Sequence, residues 1–323
     1  MLLPEFRDLY LSKVKEFGDQ GWEEVFNRVS VQFCANNLEN ITGRVLVQVT
    51  PSRVYDKEAV LAQCYAYDRA FRDAGVSRDR YAIKVAVTGP AMAAAEQLNR
   101  EGIRMLGTSL FGLPQAIACA QAGCLYISPY FNEVAAYSDE SLMHKGSDPA
   151  LTHPMSARLI HILETYTRLY EKTGKEPPLI VIASNANVAE VLATAELGCQ
   201  HITILAPHLK ELTETPLDDE ARKRYPLFAS KLTKRSAPYY ANLKTPSRLA
   251  QHSTSDPLAG PDWDGTFAST DVDYLANDGK ALDEAIARDT AVAKKLKDIL
   301  QVFGDACQQA KEAIESEYAQ LKK

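Results

Sequence analysis

The sequence of 323 residues predicts an α/β fold in which parallel strands alternate with helices. Two observations support this prediction. Short apolar runs rich in β-branched residues alternate with amphipathic segments, and glycine follows five of the helical segments where a helix C-terminus is expected. Strands that alternate with helices of this length pair in parallel through right-handed crossovers. About six such units leave two architectures open, a (β/α)-barrel and an open doubly wound sheet.

The predicted elements follow in chain order. Apolar residues at three- and four-residue spacing predict helices over 5–19 and 21–38. The strand candidates are 44–50, 81–87, 104–110, 124–129, 179–184 and 201–206. The helices between them are 56–75, 90–101, 113–122, 153–174 and 187–197, and the closing glycines are Gly75, Gly102, Gly123, Gly174 and Gly198. No glycine-rich nucleotide-binding motif follows any strand, which disfavours a nucleotide site.

The last third of the chain has a different pattern. Residues 216–280 are rich in Pro, Ser, Asp and Gly and predict a long irregular loop with a short helix at 218–231. Residues 281–321 predict a long helix, broken near Gly304, that packs on the exterior of the core or on another subunit. We therefore expect a single domain composed of a core over 1–215, a loop region over 216–280 and a C-terminal helix over 281–323.

Composition limits the class of protein. Hydrophobic residues make up 46% and charged residues 24%, as in ordinary globular proteins, and the net charge of −6 gives no support for nucleic acid as a partner. The six cysteines form no metal-ligand spacing and are interpreted as free thiols in a reducing compartment. No apolar stretch is long enough for a membrane span and no signal-peptide pattern is evident, so we expect a cytoplasmic protein without a membrane partner.

Lys84 is the most informative residue. It lies in the middle of the apolar strand 81–87, flanked on its own face by Ala82 and Ala86. Burial lowers the pKa of an amine, and a neutral lysine can attack a carbonyl to form a Schiff base. The alternative is a lysine that reaches water or pairs with a carboxylate.

Several blocks in a fixed order resemble the transaldolase family. One is Asp-Arg-Tyr-Ala-Ile-Lys-Val at 79–85, and another is Ile-Ser-Pro-Tyr at 127–130. The other matching blocks are 43–45, 47–49, 96–103, 108–111, 115–116, 122–123, 183–184 and 202–204. The resemblance covers roughly 43–212, and the variants at Gln48 and at 130–133 are most similar to an atypical, fungal-type branch.

This resemblance implies a TIM-type barrel that transfers a dihydroxyacetone unit between sugar phosphates, as in the pentose phosphate pathway, through a Schiff base at Lys84. Gln48, Thr108 and Tyr130 are similar to the residues that hold the catalytic water in fructose-6-phosphate aldolases, which favours simple aldol addition or cleavage. Ser128 and Ser184 would contact the substrate. Alternatively, Tyr130 fills space and bonds a backbone carbonyl.

Two departures concern the substrate. The arginines that grip phosphate in the family correspond to Glu133 and Ala186 here, so a shorter, unphosphorylated carbonyl substrate becomes an alternative. Basic residues of the loop region offer another way to cover a phosphate, although a solvated surface is the simpler interpretation of them. They are Arg222, Lys231, Lys234 and Arg235.

A third departure concerns the barrel itself. The family's first two strands, with their acid/base aspartate, have no counterpart, so the barrel is expected to be incomplete with about six recognisable strands. Three explanations are open. The chain is a shortened form, or the place of the missing strands is filled by residues 216–280 or by a second subunit. In the third, the barrel is truly open and the protein is no longer a competent aldolase. Asp56 and Asp139 are nearby carboxylates that such an enzyme would have to recruit.

Three functional hypotheses therefore remain. The first is a transaldolase-like enzyme, the second a non-catalytic or regulatory protein on a degraded scaffold, and the third a Schiff-base enzyme of secondary metabolism acting on an unphosphorylated carbonyl. No metal and no organic cofactor are expected, because the lysine itself serves as the electron sink. The expected partner is a small-molecule ketose or aldehyde, and a homodimer is a further option.

Overall fold

The computed structural model describes residues 3–137, 139–216, 219 and 237–323. Six parallel strands form one sheet in the order β1-β2-β3-β4-β5-β6. The strands are β1 (Val45–Gln48), β2 (Tyr81–Ala86), β3 (Met105–Leu110), β4 (Tyr126–Pro129), β5 (Leu179–Ile182) and β6 (His201–Ile202). Spatial order follows chain order without the reversal that defines a doubly wound sheet. The sheet is therefore a curled half-barrel, as expected for an incomplete TIM-type barrel.

Eleven α-helices are present in the described ranges, with short 3₁₀ turns between several of them. They are α1 (Arg7–Phe17), α2 (Trp22–Asn36), α3 (Lys57–Asp73), α4 (Gly89–Arg100), α5 (Leu113–Gln121), α6 (Pro149–Thr152), α7 (Pro154–Thr173), α8 (Val188–Leu197), α9 (Ala206–Glu214), α10 (Ala276–Arg288) and α11 (Thr290–Leu321). The five glycines predicted to close helices all have positive φ, which glycine adopts at no steric cost. Within the described part of the chain, no helix is both long and apolar enough to cross a membrane.

Strand alternation separates a packed convex face from a concave face. Tyr81, Ile83 and Val85 of β2 are fully buried beneath the helices, and Phe71 of α3 stacks on Tyr81 with ring centroids 4.0 Å apart. On the concave face of β1, Leu46 keeps 37% of its surface exposed. In the described residues β1 pairs only with β2, so the concave face is open to solvent at this edge.

Two boundaries differ from the predictions. Strand β6 covers only two residues instead of 201–206, because helix α9 begins at Ala206 and contains Pro207 in its first turn. The C-terminal helical run is not broken near Gly304, which lies inside α11. Its break is at Asp289, whose side chain accepts a hydrogen bond from Val292 N and caps α11. The predicted helix at 218–231 lies outside the described residues, apart from position 219.

Helix α11 does more than pack on the exterior of the core. It contacts β3, the 3₁₀ turn Val134–Tyr137 after β4 and the 3₁₀ turn Pro51–Arg53 after β1. Its last turns lie against α1 and α2, where Ile314 is buried. The helix therefore crosses the edge of the half-barrel at which the strands end, here called the mouth. This is the catalytic edge in TIM-barrel enzymes.

Candidate active site

Lys84 lies on the concave face of β2, with Gln48 of β1 and Leu106 of β3 as its register partners. It keeps part of its surface at the open mouth, but protein surrounds most of the side chain, and this burial lowers the pKa of the amine. In the described ranges the Lys84 amine forms no ion pair and no hydrogen bond, so the carboxylate-paired alternative has no support there. An amine in this state is suited to nucleophilic attack on a carbonyl.

Gln48 and Lys84 stand side by side on neighbouring strands. Parallel register partners project to the same face of a sheet, so the Gln48 amide lies next to the lysine. The Gln48 side chain is half-buried and forms no hydrogen bond to the described residues, although its backbone carbonyl accepts one from the Tyr67 hydroxyl at 3.0 Å. Its amide is therefore available to a water or a substrate hydroxyl.

Thr108 and Tyr130 come together one level nearer the mouth. Thr108 is fully buried on β3, where Ala86 and Ser128 are its register partners, and Tyr130 follows β4 and bridges to Ala183. Burial raises the pKa of Tyr130, and the nearby Thr108 hydroxyl offsets part of that rise. Tyr130 therefore stays protonated at neutral pH and can donate its hydroxyl proton in a hydrogen bond.

The two serines predicted to contact substrate lie on β4 and just after β5. Ser128 is 1% and Ser184 8% exposed, and Ser184 has a left-handed φ of 65°. The hydroxyls of Thr108, Ser128 and Ser184 are buried without a hydrogen bond of normal geometry in the described residues, and Tyr130 and Tyr137 are the polar neighbours of Thr108 and Ser184. Buried hydroxyls normally have a partner, so this group is suited to a ligand that carries hydroxyl or carbonyl groups.

A second polar group beside Ser184 was not predicted. Glu190 of α8 is fully buried and accepts hydrogen bonds at 2.6 Å from Asn132 Nδ2 and from the backbone N of Ala186. Burial raises the pKa of Glu190, and burial together with the Glu190 charge raises the pKa of Tyr137. One sequence signal could have drawn attention to Glu190. It lies three residues after Asn187, and an asparagine N-cap followed by glutamate at this spacing is typical of a helix start.

The two positions that departed from the family pattern have defined partners. Glu133 pairs with Lys294 at 3.6 Å and with Lys295 at 3.4 Å, both on α11, whereas the backbone N of Ala186 is bound by Glu190. These lysines were not predicted, because sequence alone gives no sign that α11 crosses the mouth. The four basic residues of the loop region lie outside the described residues.

The two carboxylates considered for recruitment cap helical turns. Asp56 accepts a hydrogen bond from Ala59 N at the start of α3, and Asp139 accepts one from Ser141 N. Both side chains are committed to backbone groups. In the described ranges there is also no group of three or more His, Cys, Asp or Glu residues that could hold a metal ion.

Comparisons with known proteins show the family to which this chain belongs. The family model described as Transaldolase/Fructose-6-phosphate aldolase matches residues 5–252. A protein of Edwardsiella ictaluri named transaldolase is 33% identical over 223 residues, covering 66% of this chain and 67% of the relative. A transaldolase of Photorhabdus laumondii is 31% identical over 233 residues, covering 69% of this chain and 70% of the relative.

Proposed function

Because the chain belongs to the transaldolase/fructose-6-phosphate aldolase family, we propose that it is an aldolase that forms a Schiff base at Lys84 with a ketose. The observation that carries this proposal is the state of Lys84. Its amine is unpaired within the described residues, burial lowers its pKa, and a glutamine and a set of unpartnered hydroxyls share its face. Those are the requirements of amine nucleophilic catalysis.

The reaction begins when the neutral Lys84 amine attacks the ketone carbon of the substrate. The carbinolamine that forms loses its hydroxyl group as water and becomes an iminium, which is the protonated Schiff base. A base then removes the proton of the hydroxyl group on the far side of the neighbouring carbon–carbon bond. The bond breaks, its electron pair moves to the iminium nitrogen, and an aldehyde leaves while an enamine remains on Lys84.

Two fates of the enamine give the two activities of the family. Attack on a second aldehyde re-forms a carbon–carbon bond and completes transfer, whereas protonation and hydrolysis release dihydroxyacetone and complete cleavage. Gln48, Thr108 and Tyr130 are assigned to the water that carries these protons, and Ser128 and Ser184 to the substrate hydroxyls. Tyr130 is a proton donor that stays protonated at neutral pH, which supports protonation and therefore simple aldol cleavage.

The substrate is proposed to be a short, unphosphorylated ketose. Glu133 and Ala186 correspond to the family's two phosphate-binding arginines; a carboxylate repels a phosphate, and an alanine side chain offers it no donor. The described cations nearest Glu133 are Lys294 and Lys295, and both pair with it. A place in pentose phosphate metabolism therefore depends on whether phosphorylated ketoses react.

An aldol assay tests the proposal. The protein is incubated with dihydroxyacetone and glyceraldehyde, or with glyceraldehyde 3-phosphate, and the ketose product is measured by mass spectrometry beside Lys84→Met and Lys172→Met, an exposed-lysine control. We expect product from wild type and Lys172→Met but not from Lys84→Met, and more with the unphosphorylated aldehyde. A folded wild-type protein that forms no product with either aldehyde would favour the non-catalytic scaffold instead.

A further inference from the structure

The outer edge of β1 is held by side chains instead of by a strand. Val49 N donates to Lys84 O at 2.9 Å, so the backbone groups of Val49 face β2. Backbone groups of successive strand residues point to opposite edges, which turns those of Leu46, Gln48 and Thr50 away from β2. Backbone groups that are shielded from water at such an edge need another partner.

Three side chains supply those partners. The Cys34 thiol of α2 donates to Leu46 O at 3.7 Å, and the Tyr67 hydroxyl of α3 donates to Gln48 O at 3.0 Å. Gln63 Oε1 of α3 accepts a hydrogen bond from Thr50 N at 3.0 Å. Side chains of helices α2 and α3 therefore take over part of the hydrogen bonding that a neighbouring strand provides for an inner strand.

Gln63 is the centre of this arrangement. Its oxygen accepts both from Thr50 N and from Thr50 Oγ1, and its nitrogen donates to Asn27 Oδ1 at 3.2 Å and to the Tyr67 oxygen at 3.3 Å. All four hydrogen-bonding positions of the amide are used. Gln63, Tyr67 and Thr50 are each at most 5% exposed, so solvent cannot replace a lost bond.

We propose that Gln63 and Tyr67 are positioning residues that fix the end of β1 so that the Gln48 side chain stands beside Lys84. The proposal rests on the proposed function, in which Gln48 holds the catalytic water. Neither residue touches substrate, and both act through the backbone of residues 48–50. A displacement of about 1 Å at a reacting group is enough to lower a rate by about a hundredfold.

Gln115 of α5 provides a matched comparison. Its amide is also buried and fully bonded, accepting from Phe111 N and Gly112 N and donating to Val87 O and Ser109 O. It therefore holds the ends of β2 and β3, and none of its four hydrogen bonds involves β1. Removal of its amide should affect the site by a route that does not pass through Gln48.

A double-mutant cycle tests the proposal. The variants Gln63→Leu, Tyr67→Phe and Gln115→Leu are made in the wild-type protein and in Gln48→Ala, and kcat and KM for aldol cleavage are measured for each. We expect Gln63→Leu to lower kcat about tenfold and Tyr67→Phe about threefold, with KM changed less than twofold. In Gln48→Ala neither change should lower kcat further, whereas Gln115→Leu should lower it by the same factor in both backgrounds.

The outcomes separate this inference from the proposed function. Losses from Gln63→Leu and Tyr67→Phe that persist in Gln48→Ala, or an unchanged kcat, would overturn the positioning role while the aldolase activity stands. An inactive, folded wild-type protein would overturn both. Thermal unfolding checks each variant, and if Gln63→Leu fails to fold, the nearly isosteric Tyr67→Phe decides the result.

Discussion

Lys295 of the C-terminal helix lies with its Nζ 3.4 Å from Glu133 Oε1 at the end of β4. The side chains are 15% and 22% exposed, so this ion pair is more protected from solvent than most surface pairs. It joins α11 to the catalytic edge of the half-barrel, with Lys294 as a second and more exposed partner. The pair therefore helps to hold α11 across the mouth.

Charge reversal tests this role of the pair. Lys295→Glu and Glu133→Lys each place like charges together, and we expect each to lower the free energy of unfolding by about 1 kcal/mol and to speed amide hydrogen exchange over 290–303. The double variant restores an opposite-charge pair and should recover most of both losses. If the double variant is as unstable as the sum of the single variants, the pair does not hold the helix.

The buried amine of Lys84 should lower the free energy of unfolding. Burial lowers its folded-state pKa from the ordinary value of 10.5, whereas the unfolded chain keeps that value. Below the folded-state pKa both states are protonated and the folded protein bears the full cost, about 1.4 kcal/mol for each unit of pKa depression. As pH rises from the folded-state pKa towards 10.5, the folded protein loses its proton first and the cost disappears.

We therefore expect Lys84→Met to stabilise the protein near neutral pH, with a gain that shrinks as pH approaches 10.5. Urea unfolding at a series of pH values measures this, and Lys172→Met is the control because Lys172 is 71% exposed. A Lys84→Met variant that is less stable than wild type throughout the range would mean that the amine makes favourable native contacts.

Tyr130→Phe tests proton donation at the mouth. Burial keeps this hydroxyl protonated at neutral pH, and its removal should lower kcat for aldol cleavage about a hundredfold with little change in KM. Tyr126→Phe is the matched control, since that tyrosine begins the strand that Tyr130 follows, and its hydroxyl accepts a hydrogen bond from Arg44 at 3.3 Å. Equal losses in the two variants would indicate a packing effect instead of proton transfer.

The sequence predicted the strands well because their signals are local. All six segments predicted as strands contain a strand in the structure. A short β-branched apolar segment between two helices, often with a glycine at the helix end, identifies a strand within about ten residues of sequence. The two-residue β6 was overestimated, because its apolar run continues into α9 through Leu205 and Ala206. Apolar periodicity alone does not separate the end of a strand from the start of a helix.

The partners across the mouth were not predictable in this way. Glu133 meets Lys295 over 162 positions of sequence, and Gly89 N meets Asp283 over 194. Such pairs depend on the path of α10 and α11, which no local pattern records. The sequence predicts a break of the C-terminal run near Gly304, since glycine is a weak helix former, but Gly304 lies inside α11, and the break falls at the Asp289 cap.

Borohydride trapping tests the Schiff base at Lys84 most directly. The protein is incubated with dihydroxyacetone, fructose or fructose 6-phosphate, reduced, and examined by intact mass and peptide mapping beside Lys84→Met. We expect one reduced adduct of substrate on the peptide that contains Lys84, strongest with an unphosphorylated ketose and absent from the variant. A folded wild-type protein without any adduct, or with adducts on other lysines only, would contradict the assignment of Lys84 as the nucleophile.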